Sequence, residues 1–173
     1  EEKDLYRVGT VAHLIKILQM PDGNTTVIIQ GKKRFEIDEF IQDEPYFKAK
    51  INDLPDSMQN IDRDEHFAAL IASLKDLALQ IIKLSPNIPS EAGFAIKNID
   101  SPFFLVNFVS SNLNIELADK QKLLETPDLT KRANEVLAAL AKELHMLELK
   151  NQIQDKVKLD LDKQQRDYLL SQQ

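Results

Sequence analysis

Gly31-Lys32-Lys33 is the place in this sequence where a phosphate could meet both a glycine and an ammonium group. Cradling a phosphate takes backbone N–H groups converging from a glycine-rich loop, then a lysine, then a hydroxyl. Thr26 stands where the first glycine of that pattern belongs and Lys33 where the hydroxyl belongs, so the residues read as a β-turn with solvated lysines. A serine nucleophile needs an activating base and an oxyanion hole. Ser85, Ser90 and Ser101 each stand near a proline and Ser110-Ser111 closes an apolar stretch, which are capping positions, and no G-x-S-x-G occurs. The histidines, His13, His66 and His145, form no H-E-x-x-H pair. Asp62 and His66 are four apart and read as an ion pair at a helix start. Asp38-Glu39 and Asp43-Glu44 are neighbours that point apart on an extended chain, so they serve solubility better than acid–base chemistry. No catalytic, cofactor-binding or metal-binding residue is assigned.

The composition agrees with a folded chain. In 173 residues, 43% are hydrophobic and 29% charged, enough for one core or two small lobes and unlike a disordered tail. The net charge of −6 leaves no global basic surface, which argues against nucleic acid as the main partner. Cysteine is absent, so disulfides and thiolate metal sites are excluded, and a reducing cytoplasmic setting is expected. The apolar run Phe103–Val109 is far short of a membrane span, and the charged start Glu1-Glu2-Lys3-Asp4 has no apolar targeting core.

What could position binding groups is an α+β arrangement. Val8 to Met20 reads as a strand ending at the turn Pro21-Asp22-Gly23-Asn24. Thr25 to Ile29 is β-branched throughout, and Gly31 separates it from Arg34–Phe40, where Phe35, Ile37 and Ile41 alternate with charge. Tyr46–Ile51 is a last strand before Leu54-Pro55, giving three or four antiparallel strands with one buried face. From residue 58 the spacing is helical. Asp62 with Glu65 resembles a capping box, and Phe67, Leu70, Ile71, Leu74, Leu77, Ala78 and Ile81 trace one face up to Ser85-Pro86. Pro89–Asn98 reads as a short helix with proline in its first turn. Ser101-Pro102 starts a helix apolar nearly all round, expected at the lobe's centre, and Leu117–Glu125 is another short helix. From Asp128 to the end there is neither proline nor glycine, which predicts one helix of about 65 Å. Ala133, Leu137, Leu140, Leu144 and Leu147 keep a packing stripe, whereas beyond Leu149 the apolar residues thin to Ile153, Val157, Leu161 and Tyr168-Leu169-Leu170. The expected division is a β lobe at 1–57, a helical lobe at 58–127 and the long helix at 128–173.

Four stretches carry a family resemblance: VGTVAHLIKIL followed by PDGN, VIIQGKKRFEI, AKELHMLELKNQIQDKV and DKQQRDYLLSQQ. In content and order they resemble the N-terminal region of bacterial ATP-dependent Lon proteases. The resemblance implies a partial PUA-like β lobe that begins after the family's first strands, with an unpaired sheet edge and exposed apolar side chains. A helical lobe and a long helix would follow, leading to a AAA+ ATPase and a serine-lysine peptidase. No cofactor is expected in this stretch, while the parent would use ATP and Mg. The implied role is recognition of unfolded or misfolded proteins and assembly into a homohexamer, in the cytoplasm or, alternatively, the mitochondrial matrix. The competing readings are a free-standing PUA-like adaptor that binds RNA and a purely structural spacer. Recognition of unfolded chains favours adaptable apolar and aromatic contacts, and Met20, Tyr46, Met58, Met146 and Tyr168 are the candidates.

Overall fold

A computed structural model describes residues 1–57 and 65–172. The chain divides into two compact units, Glu1–Gln59 with Glu116–Arg132, and Asn60–Ile115 with Ala133–Gln173. Residues 117–132 thus group with the strands, although they follow the helical lobe in sequence.

In the first unit a 3-10 turn, Glu2–Asp4, precedes β1 (Val8–Gln19), β2 (Thr25–Gln42) and β3 (Lys48–Asp53), an antiparallel sheet in the order β1-β2-β3. The β1–β2 turn needs its glycine, since Gly23 has φ 86°. The Met20 N–H donates to the Asn24 carbonyl at 2.8 Å, and the Gly23 N–H to the Met20 carbonyl at 3.0 Å. Gly31 does not break the strand. It pairs with Ala12 inside β2, and a Cβ there would lie 3.2 Å from Thr10 Cγ2, so the glycine allows a close approach beside a register shift rather than a turn. Among the described residues the count is therefore three strands. The expected alternation Phe35, Ile37, Ile41 fails at its end, because a shift between Ile37 and Glu39 turns Phe40 inward and Ile41 out to solvent. The last strand also begins two residues later than expected, leaving Tyr46 outside it. α4 (Leu117–Leu124) lies against β1, with Gln121 Nε2 donating to the Val8 carbonyl at 2.9 Å. It starts without a side-chain cap, as the residues Ile115-Glu116 suggest.

The second unit holds α1 (Glu65–Leu84), α2 (Glu91–Lys97), α3 (Pro102–Asn112) and α5 (Leu129–Ser171) from Ala133 onward. The capping pair and the Asp62–His66 pair involve Asp62, which lies outside the described residues. The rest of the α1 face is as spaced: Phe67, Leu70, Leu74, Ala78 and Ile81 are buried. They share the core of this unit with Ile96, Leu105, Val106, Val109, Ala133, Val136, Leu140 and Leu144. Pro89 precedes α2 rather than entering it. α3 is less central than its composition implies. Leu105 and Val106 are fully buried, but Phe104 is 58% exposed and stacks on Phe108 at 6.0 Å, because an eleven-residue helix offers the core only one side. On α5 burial follows the 4,3 spacing as far as Leu147; from Leu149 to Gln172 every residue is exposed except the half-buried Asn151.

Candidate functional site

The groups that could do chemistry are held in structural roles. Lys32 and Lys33 sit in β2, not in a turn. Lys33 Nζ contacts both Asp53 carboxylate oxygens, at 2.7 and 2.9 Å, and Lys32 Nζ reaches Gln30 Oε1 at 2.9 Å. The turn is thereby corrected to a strand, whose pairing places Lys33 beside Asp53, while both lysines stay exposed. Ser101 Oγ accepts from the Phe104 N–H at 3.3 Å, and Ser110 Oγ donates to the Val106 carbonyl at 2.5 Å. Ser90 occupies the cap position of α2 without making a cap hydrogen bond. Among the described residues no group of three or more His, Asp or Glu could hold a metal ion, and no helix is long and apolar enough to cross a membrane.

What the strands build instead is an apolar surface. β3 pairs only from Phe35 to Gln42, so the part of β1 and β2 nearer the Gly23 turn is a two-stranded ribbon. Directly paired residues share a face, which puts Leu14 beside Ile29 and Ile17 beside Val27. Ile15, the extra residue in the shift between Leu14 and Lys16, lets both pairs fall on one side. These four side chains are 44 to 62% exposed. Sequence reading identifies the strands but not this face, because simple alternation would separate Leu14 from Ile17. The bulge is the missing information.

The candidates read from sequence are not gathered into one site. Met20 lies at the start of the β1–β2 turn and Tyr46 in the β2–β3 connection, separated along the chain by the whole of β2; both are exposed. Lys48 Nζ stands 5.2 Å from the Tyr46 ring centroid. Met146 and Tyr168 are exposed residues of α5, and the Tyr168 hydroxyl accepts from Gln172 Nε2 at 2.7 Å. Met58 lies outside the described residues.

A second feature absent from the sequence reading is ionic. Arg34 of β2 and Arg132 in the first turn of α5 both contact Asp56 Oδ1. Arg34 Nη1 also donates to the carbonyls of Leu124 and Thr126, at 2.9 and 3.0 Å, and Arg132 Nη1 to the Thr126 carbonyl at 2.6 Å. Burial first, and the Arg132 charge second, pull the Arg34 guanidinium below its ordinary value, while Asp56 raises it. The clue in the sequence is an arginine inside an apolar stripe, Leu129-x-x-Arg132-Ala133-x-x-Val136.

The three-stranded antiparallel sheet, the helices and the very long terminal helix together match the fold of Lon N-terminal domains. The fold overlays the N-terminal domain of Mycobacterium avium complex Lon protease with a TM-score of 0.66 at 19% identity, covering 78% of this chain and 70% of that one. The Lon N-terminal domain protein of Xanthomonas campestris gives 0.53 at 16% identity, over 77% and 68%. Sequence comparison identifies the family. Residues 1–142 match the model of the ATP-dependent protease La (LON) substrate-binding domain. Lon protease of Flavobacterium johnsoniae is 55% identical over 98% of this chain, and that of Cytophaga hutchinsonii 49% identical over 99%; the match covers 21% of each relative. The chain belongs to the Lon substrate-binding domain family and spans about a fifth of the length of the Lon proteases it matches. Family membership favours substrate binding over the RNA-adaptor and spacer readings.

Proposed function

We propose that this chain gathers unfolded or misfolded polypeptides for an ATP-dependent serine protease, and that the ribbon face of Leu14, Ile17, Val27 and Ile29 is where it holds them. Unfolded chains share no fixed sequence but do expose apolar segments, and a solvent-facing cluster of aliphatic side chains is the feature that would retain them. Met20, at the ribbon's turn, extends the contact, while Met146 and Tyr168 serve self-association along α5. In the parent, six copies would assemble, and α5 would lead toward a AAA+ ATPase, using ATP and Mg, and a serine-lysine peptidase. The setting is the cytoplasm, or the mitochondrial matrix in an organellar relative. In this reading the strand lobe at 1–57 makes the contacts. Family membership and the exposed face support this reading.

Binding is tested by fluorescence anisotropy with a labelled, permanently unfolded protein, and with the same protein in its folded form as control. The double variant Leu14→Ser/Ile29→Ser removes only exposed side chains. We expect at least about tenfold weaker binding, the loss that roughly 1.4 kcal/mol of apolar contact represents. Equal binding by the variant would overturn the assignment and leave the face as a packing surface for another strand or copy. Six linked copies raise effective concentration, so the assay must reach high concentrations of single chain.

A further inference from the structure

The Arg34–Asp56–Arg132 cluster gathers four stretches of chain into one knot: β2, the residues after β3, the end of α4 and the start of α5. Its arginines are well shielded, Arg34 13% and Arg132 3% exposed, while Asp56 is 26% exposed. Two cations face one carboxylate. The balance comes from the Leu124 and Thr126 carbonyls at the end of α4, where a helix carries partial negative charge. Both Asp56 and the Thr126 carbonyl accept from both arginines, so neither guanidinium can leave without disturbing the other's partners. The same place is tied by the Ser57 N–H to the Pro127 carbonyl at 2.9 Å, and Leu129 beside it is fully buried. β2 carries Val27 and Ile29 of the ribbon, while α5 runs unbroken from this knot to Ser171. We propose that Arg34, Asp56 and Arg132 form a latch that makes β2 and the first turn of α5 move as one body, passing load on the strand into the long helix. The latch acts whichever ligand pulls on the strand, so it stands or falls separately from the ribbon assignment.

Amide hydrogen exchange on the 173-residue chain tests the connection with Asp56→Ala and Arg34→Lys, the second keeping its charge but losing the fork that spans two carbonyls. In either variant, amides 129–136 are expected to exchange at least tenfold faster while 70–81 keep their wild-type protection. The double variant should add little to the larger single effect, because the groups act as one unit. Unchanged exchange at 129–136 or simple additivity would overturn the latch. If Asp56→Ala loses protection at 70–81 as well, Arg34→Lys decides by the same criteria. Transmission is read by single-molecule pulling between Thr25→Cys and Glu135→Cys, in a chain that has no native cysteine. A single yielding step that splits in two on adding Arg34→Lys supports coupling; two separate steps with the latch intact overturn it.

Discussion

At the tip of the ribbon, Asp22 accepts from the Asn24 backbone N–H at 3.0 Å and from its side-chain amide at 2.8 Å, forming a local turn around Gly23. These bonds favour the carboxylate over the acid and hold Asp22 below its ordinary value of 3.8, the backbone N–H contributing most. Because the folded value is the lower one, the bonds' contribution to stability is fully present above the unfolded value and is lost as pH falls through the folded one. The Asn24 amide resonance should therefore titrate below pH 3.8, where free aspartate would have its midpoint, and Asp22→Asn should abolish that titration. Asp22 is fully exposed, so the response belongs to the turn, and the thermal midpoint of the whole chain should not follow it. Arg132 presents the opposite case. Its charge is enclosed and its partners come from other stretches of the chain, so a single residue there has reach beyond its own turn.

Between residues and the whole chain, the elements differ in how plainly their sequences announce them. α5 is legible because it lacks proline and glycine, and the α1 face because Phe67, Leu70, Leu74, Ala78 and Ile81 repeat at helical spacing. β2 is not, since Gly31 has the look of a breaker and only the neighbouring strand reveals a close approach at Thr10. Phe40 and Ile41 exchange places for the same kind of reason: register shifts depend on the partner strand, which lies outside any local window. The ribbon face and the latch were hidden because both arise from pairing residues apart in sequence, Leu14 with Ile29, and Arg34 and Arg132 with Asp56. Composition alone also overstates the burial of α3. The contrast can be measured by chemical denaturation. Leu74→Ala, at a fully buried site on α1, should cost about 2–5 kcal/mol through lost transfer energy and a residual cavity. Phe104→Ala, on an exposed side of α3, should stay within about 1 kcal/mol, because it loses mainly the stacking on Phe108. Equal costs would mean that α3 lies deeper than its exposure indicates.

For the whole chain, the long helix divides into a packed part and an exposed part. Its packed residues, Ala133 to Leu147, hold the core of the second unit, whereas Ile153, Val157 and Leu161 recur every fourth position on an exposed face with charged residues between them. Most helical stability in proteins comes from packing of an apolar face, and these apolar side chains would gain most from burial against another copy. Removing residues 152–173 should therefore leave the unfolding free energy within about 1 kcal/mol of the full chain, because none of the described side chains removed is buried. The same truncation should convert concentration-dependent association into monomeric behaviour in sedimentation equilibrium. Full-chain association should persist at about 1 M salt, where screening acts within about 3 Å, if the aliphatic stripe rather than its flanking charges drives it. A truncated chain that still associates would transfer that role to the ribbon, and Leu14→Ser/Ile29→Ser would then dissociate it. Loss of association on truncation alone assigns assembly to the distal helix, leaving the ribbon free for capture.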